Sequence, residues 1–574
     1  MKRPAKVTVA KHRGAKLGQQ QAQVVDKLLQ RGFELHQQGH LAVARDFYEQ
    51  VLAMHPENFN ALQLLGTLLC QGIDPRLAVD LFGKAIEINP GNADVYANRG
   101  IAFKNLARYD EAVASYDRAI ALKPNSADAY YNRGIALKDL KRFDEAVASF
   151  DRAIALKADF VQAHTNRGVA LQDLGRADEA LASHDRAMAL QPGDAEIHCN
   201  RGVALQSLHR LDEAVASYDQ AIALKPGFAQ AHTNRGNVLQ DLMRLDEAMA
   251  SYDKAIAVQP DYAKAYLDKS LCLLLLGDFD RGWKMYEWRW KVGEAAGGTT
   301  HPPETLWLGA EPIRGKTILL HAEQGLGDSI QFCRYARLLG DLGANVLLEA
   351  PKALMGLFEG LEGVGNLVER GKPLPAFDLH CPLLSLPLAC KTTINTIPNP
   401  EAYLASQPEK RKAWSERLGE KTRPRIGLVW SGSTTHKNDR NRSLPLESLL
   451  AHLPADYEYV SLQAEVREVD RKALQGSAIR DHEGQIEDFS DTAALCDQMD
   501  LVISVDTSVA HLAGALGKTT WILLPSMPDW RWLLARKDSP WYRSVKLYRQ
   551  ARYGDWEAVL RRIAMELPIF LGER

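Results

Sequence analysis

Three short stretches hold the side chains best suited to chemistry. The first is H-A-E-Q-G-L-G-D at 321–328. Gly325 and Gly327 let the backbone turn tightly and a ligand come close. Asp328 follows them as a carboxylate able to take a proton from an attacking hydroxyl. At the start of a helix the same Asp328 is an ordinary N-cap. The second stretch is W-S-G-S-T-T-H-K-N-D-R-N-R at 430–442. Ser431, Gly432 and Ser433 are small, and Lys437, Arg440 and Arg442 add positive charge. Small polar backbone beside cations is what a diphosphate needs; solvated loop charge is the plainer reading. The third is D-T-S-V-A-H at 506–511. Thr507 and Ser508 can cap a helix whose free N–H groups and dipole suit a phosphate. Asp506 either holds the loop or binds a ribose hydroxyl, and His511 either faces the same anion or is a satisfied core histidine.

Each stretch follows a short apolar run. Thr317–His321, Ala344–Leu348, Ile426–Trp430, Tyr459–Leu462, Leu501–Val505 and Thr520–Leu524 read as buried parallel strands. Helical segments such as Asp328–Leu339, Pro445–His452 and Val509–Leu516 alternate with them, which predicts one or two doubly wound α/β sheets. Ligands of such sheets bind beyond the carboxyl ends of the strands, where all three stretches fall. Gly325-x-Gly327-x-x-Ile330, with Glu349 closing the next strand, also approximates a dinucleotide fingerprint. Ile330 in place of the third glycine, and the charge of Asp328 beside a pyrophosphate, weaken that alternative. No G-x-x-x-x-G-K-[ST] pattern is present.

The first half has a different texture. A-D-V-Y-A-N-R-G-I-A-F-K-N-L begins at Ala93 and returns from Ala127, Val161, Ala195 and Ala229, a period of 34 residues, with weaker copies from Val25, Phe59 and Ala263. Glycine holds position eight from Gly32 to Gly236, and a proline such as Pro124 closes most units. Period, small residues and closing proline resemble the tetratricopeptide family, which implies helix pairs stacked into a solenoid with a concave groove. Position six is Asn98, Asn132, Asn166, Asn200 and Asn234; position seven is Arg99, Arg133, Arg167, Arg201 and Arg235. Two readings of these ladders stand. The amides clamp an extended peptide backbone, or the side chains strut neighbouring units by pairing with aspartates such as Asp117 and Asp151.

Composition narrows the class. The chain has 574 residues, 46% apolar and 25% charged, enough for two to four domains. Lys plus Arg is 70 against 72 acids, so a chain-wide grip on nucleic acid is not expected. Seven scattered cysteines form no C-x-x-C pair, which argues against a disulfide framework or structural zinc. The longest purely apolar run, Leu271 to Leu276, is too short for a membrane span. A soluble, cytoplasmic, multi-domain protein is expected.

Taken together, the Gly-Asp loop, the cation loop and D-T-S-V-A-H resemble the GT-B glycosyltransferases of the heptosyltransferase type over about 315–550. With the repeats in front, the architecture is also similar to the O-linked N-acetylglucosamine transferases. The resemblance implies Asp328 as base, Lys437 on the donor diphosphate, and Asp506, Thr507, Ser508 and His511 as the nucleotide-sugar loop. Ser508 stands where that family places glycine. The expected layout is a basic disordered tail at 1–24, eight repeat units at 25–296, and a linker at 297–315. A first lobe follows at 316–406, a connection at 407–424, and a donor-binding lobe at 425–574. The reaction implied is inverting, metal-independent transfer from a nucleotide-diphosphate sugar, without a cofactor, to a protein or peptide acceptor held by the repeats. A non-catalytic scaffold and a nicotinamide-dependent enzyme are the alternatives. The D-W-R-W run at Asp529–Trp532 and S-P-W-Y at Ser539–Tyr542 either wall the sugar pocket or pack as aromatics.

Overall fold

A computed structural model describes residues 6–292, 301–434 and 438–572. It divides into two compact units, Met1–Val238 and Leu239–Arg574. Helices alone fill the chain up to Tyr286, in pairs such as Ala127–Asp139 with Phe143–Leu156 and Ala263–Leu275 with Phe279–Tyr286. The first helix, Lys6–Gln37, takes in residues expected as a disordered tail. After Pro4 that stretch contains no proline, so the helix of the first repeat can extend backwards.

One contact explains the repeat. Position 24 is aromatic in nearly every unit, and its ring lies flat on the position-eight glycine of the facing helix. A Cβ on Gly100 would come within 2.6 Å of Tyr116, one on Gly134 within 2.6 Å of Phe150, and one on Gly202 within 2.6 Å of Tyr218. Only glycine lets the two helices approach so closely. The fifth unit alone breaks the aromatic series: His184 lies on Gly168, fully buried, with no hydrogen-bond partner for either ring nitrogen.

The second unit begins within the array, not at the expected linker. Leu274, Leu275, Phe279, Trp283 and Tyr286 of the last helix pair are buried in one core with Ile318, Leu320 and Tyr335. Leu274 and Leu275 stand where the five preceding units carry polar or charged residues, and Trp283 where they carry Val, Leu or Met, so the last pair needs that second surface to cover its larger apolar face. The Trp283 indole donates to the Thr392 carbonyl at 3.1 Å.

Two wholly parallel sheets follow. In the first, β1 (Thr317–His321), β2 (Asn345–Ala350), β3 (Val364–Glu369) and β4 (Leu379–Pro382) lie in the order β3-β2-β1-β4. In the second, β5 (Arg425–Val429), β6 (Glu458–Ser461), β7 (Leu501–Val505), β8 (Thr520–Leu524) and β9 (Val545–Arg549) lie in the order β6-β5-β7-β8-β9. Both orders reverse direction once, between β1 and β4 and between β5 and β7. Chain leaving the two sides of such a reversal opens a crevice at the strands' carboxyl ends. The Pro408–Leu418 helix leads from the first sheet to the second. Among the described residues, no helix is long and apolar enough to cross a membrane.

Candidate functional site

The three loops singled out by sequence all leave strands at these reversals: 322–328 after β1, 430–442 after β5, and 506–508 after β7. Strand geometry therefore brings chemistry from distant stretches to one side of each sheet.

The Leu326–Phe332 helix carries the first loop's carboxylate. Asp328 is the third residue of that helix and not its N-cap, a place taken by Gly325. Its Oδ2 reaches back to accept from the Gly325 N–H at 3.0 Å. Gly325 has φ −67° and ψ 166°, extended backbone open to any residue, so the expected tight glycine turn is not made there. Gly327 is closely packed: a Cβ would stand 3.1 Å from the His511 ring, which would have to give by a few tenths of an ångström, and 3.4 Å from the Ser508 backbone. Its smallness lets the second lobe pack closely on the first.

The other oxygen of Asp328 is held across the lobes. Arg531, in the short Trp530–Trp532 helical turn beyond β8, donates Nη2 to Asp328 Oδ1. The same guanidinium donates Nη1 to Asp529 at 2.8 Å and Nε to the Gln331 side chain at 2.8 Å, and it stacks on Trp530. Burial pushes the Asp328 carboxyl above its usual range while Arg531 opposes the shift.

The second loop is built around two more arginines. Arg442, in the Asp439–Arg442 turn, donates Nη1 to the Asp506 carbonyl at 2.8 Å, and its buried Nε makes no hydrogen bond but lies 3.7 Å from the Asp439 carboxylate. Arg467 donates to the Gly432 carbonyl at 2.6 Å and to Asp439 at 2.6 Å. Ser431 is buried and bound to Gln463 through backbone and hydroxyl, at 3.3 and 3.0 Å, so it shapes the loop. Ser433 is exposed at the loop's rim. Lys437 lies outside the described residues.

The third loop leads into the Ser508–Ala515 helix. Thr507 stands at its N-cap but makes no capping bond, contrary to the capping expected of it; its hydroxyl turns to Ser504 at 3.2 Å. Ser508 is the first helical residue. Side-chain capping thus leaves the first-turn N–H groups alone, as an anion would require. Burial and the neighbouring Asp529 raise the Asp506 carboxyl, and Arg531 and Arg442 pull against them. His511 pairs Nδ1 with the Tyr542 hydroxyl at 2.9 Å and stacks on Trp532. Burial and then Arg531, Arg334 and Arg442 hold its imidazole well below the usual range, so it stays neutral. His511 is thus a buried, hydrogen-bonded ring packed among aromatic side chains.

Sequence reasoning missed Arg531, Arg467 and Asp529 as polar site groups. The run D-W-R-W had drawn attention for its tryptophans. An arginine between two of them, just past a buried strand, is the signal that could have found it. Beside Asp529 and Trp530 a cleft of about 220 Å³ is lined also by Leu271, Leu275, Asn438 and Met527. No group of three or more His, Cys, Asp or Glu able to hold a metal occurs among the described residues.

In the array, the two ladders separate. Arg133, Arg167 and Arg201 each bridge an aspartate of the preceding unit and a serine of their own: Asp117 and Ser149, Asp151 and Ser183, Asp185 and Ser217. Arg235 reaches Asp219 at 2.7 Å. These arginines are struts. The asparagines run half-buried along the first helices: Asn98 donates to Thr67 at 3.3 Å, Asn166 to the Tyr131 hydroxyl at 3.3 Å, and Asn234 to Cys199 at 3.8 Å. The amides of Asn132 and Asn200 make no side-chain hydrogen bond among the described residues.

Comparison with known proteins bears on the helical region. Models of the tetratricopeptide repeat match residues 81–114, 108–141, 127–160, 195–228 and 229–262. Protein FlbA of Caulobacter vibrioides (strain ATCC 19089 / CIP 103742 / CB 15) is 28% identical over 333 residues, covering 53% of this chain and 54% of FlbA. The chain thus spans about half the length of that curated relative. Among solved structures, YrrB, described as a TPR protein with an unusual peptide-binding site, is 30% identical. It covers 34% of this chain and 100% of its own, with a TM-score of 0.30. A tetratricopeptide repeat protein from Parabacteroides merdae ATCC 43184 is 18% identical, covering 44% and 99%, with a TM-score of 0.36. The N-terminal helical region is an array of tetratricopeptide repeats.

Proposed function

We propose that the chain transfers a sugar from a nucleoside diphosphate to a hydroxyl of a protein or peptide held by the repeats, its two sheets forming a GT-B-type module. The observation that carries this reading is a pair of arginines, Arg442 donating to the Asp506 carbonyl and buried Arg531 donating to Asp328 of the first lobe. A diphosphate leaving group gathers negative charge as its bond to the sugar breaks. Guanidinium groups and an uncapped helix N-terminus stabilise that charge. Asp328 then accepts the proton of the attacking hydroxyl as the new bond forms at the anomeric carbon.

The repeats supply a surface for protein or peptide binding, and the free amides of Asn132 and Asn200 are its candidate contacts. A thermal-shift screen of nucleoside diphosphates and their sugars tests the donor. A ligand at 100 times its Kd stabilises the folded protein by about 2.7 kcal/mol. Stabilisation by one nucleotide series, with sugar-nucleotide hydrolysis lost in Asp506→Ala, is expected. No shift with any member, together with no hydrolysis, leaves an interaction scaffold.

A further inference from the structure

The bond between Asp328 and Arg531 joins residues 203 positions apart and crosses from one lobe to the other. Three features separate it from an ordinary structural ion pair. Arg531 already has a second carboxylate, Asp529, and the Gln331 amide, so its charge is met without Asp328. Both side chains, though largely buried, keep a little exposure, 11% for Arg531 and 18% for Asp328. Asp529 also lines the adjoining cleft. A carboxylate bound to a guanidinium is a poor base, because the lone pair that must take the proton already accepts a charge-assisted bond.

We propose that Arg531 is a donor-operated latch: it holds Asp328 while the crevice is empty and gives it up to a diphosphate, so that the base is released only once the donor is seated. The inference rests on the proposed transfer reaction. Release exchanges one hydrogen bond for another, from Arg531 Nη2 to Asp328 Oδ1 into Nη2 to a phosphate oxygen. In the transfer that follows, the acceptor oxygen bonds to the anomeric carbon and the carbon–oxygen bond to the diphosphate breaks. The acceptor's proton passes to Asp328, and the bonding electrons leave with the diphosphate. The latch imposes an order, donor before acceptor, and it keeps the base shut when no donor is present.

Inorganic pyrophosphate is a sufficient probe, because the latch senses charge and not the base or sugar. Calorimetric titration of the full-length chain would compare wild type, Asp328→Asn, Arg531→Gln and the double variant. With Asp328→Asn, Arg531 no longer leaves a carboxylate to meet phosphate, so pyrophosphate should bind roughly tenfold more tightly. Arg531→Gln should weaken binding, and in that background Asp328→Asn should no longer change it. Equal tightening with and without Arg531 would mean simple charge repulsion and overturns the latch. If Arg531→Gln does not fold, Arg531→Lys replaces it, keeping the charge and losing the forked geometry. Pyrophosphate binding indifferent to both residues removes the latch and leaves the transfer reaction standing. Absence of pyrophosphate and nucleoside diphosphate binding in wild type removes both.

Discussion

Arginine links separate elements in both the repeat array and the α/β region, each guanidinium joining polar groups distant in sequence, yet the two settings differ. In the array, Arg133, Arg167 and Arg201 repeat one bridge at one spacing, to aspartates that are about half exposed. In the α/β region, Arg289, Arg334 and Arg531 are buried, and each has its own partners. Arg289 sits between Glu287 and Glu323 and against Ser385. Arg334 donates to the carbonyls of Trp541 and Pro398 and to the Tyr403 hydroxyl. The periodic bridges are redundant and wet, so each adds little. The single-copy bridges are largely buried, so a lost partner is poorly replaced by water and its removal should cost more.

The largest test of that contrast is catalytic. Asp328→Asn keeps the size of the side chain and removes its ability to take a proton. Turnover with a sugar nucleotide should fall by roughly 10²–10⁴. The same change at an array carboxylate, Asp151→Asn, should leave turnover with a small hydroxyl acceptor within about twofold, as a solvated ladder predicts. Steady-state rates for the two variants decide it, and near-normal turnover in Asp328→Asn would remove that residue from the chemistry.

Next in size is the buried bridge. Arg289→Ala leaves Glu323 and Glu287 facing each other without a cation, and burial already raises the Glu323 carboxyl to about 7. Removing one member of such a group costs about 3–5 kcal/mol. Denaturant unfolding should show that loss in the transition of the α/β region. Glu323→Gln added to Arg289→Ala should recover part of it, because the repulsion is gone. A loss below about 1 kcal/mol would place this bridge with the surface ladders.

The two regions were also unequally legible from sequence. The array writes its fold in a period of 34 residues, so each glycine–aromatic contact is repeated and can be read from any unit. Strands β1, β7 and β8 were found because Thr317–His321, Leu501–Val505 and Thr520–Leu524 are short, mostly apolar runs rich in Leu, Ile and Val. β3 was not, since the exposed Gly365 and Asn366 interrupt it and none of it is fully buried; nor was β9, where Lys546 and Arg549 stand among apolar residues. The expected helix from Asp328 to Leu339 is two helices, Leu326–Phe332 and Tyr335–Asp341, with Arg334 turned inward at the break. The three loops were found because each follows a readable strand. The bridge from Asp328 to Arg531 was not, because nothing local links residues 203 positions apart.

Within the array, the one irregular unit offers a smaller test. Burial lowers the His184 imidazole from 6.5 to about 4, with Asp185 opposing weakly. Between those values the unfolded chain binds the proton and the folded one does not. Stability is therefore complete above about 6.5 and falls as the pH drops towards 4. At pH 5 the loss should be about 2 kcal/mol. His184→Phe restores the ring used in the unit before it and should remove that slope. Melting temperatures of both proteins at pH 5 and pH 8 should converge less at the lower pH. A parallel fall in the two would take His184 out of the acid response.

The smallest effect belongs to the ladder itself. Arg167 donates to Asp151 at 2.6 Å and to Ser183 at 2.5 Å, a geometry good enough to look stabilising. Its side chain is 21% exposed and that of Asp151 is 50% exposed, so water can solvate whichever partner is left. Arg167→Ala should therefore cost less than about 1 kcal/mol, and a double-mutant cycle with Asp151→Ala should give a coupling near 0.5 kcal/mol. Raising the salt concentration should shrink the coupling further, because an exposed pair is screened. A coupling above about 2 kcal/mol that survives high salt would mean the struts act as a buried network. The contrast between the two regions would then lie in repetition alone and not in access to water.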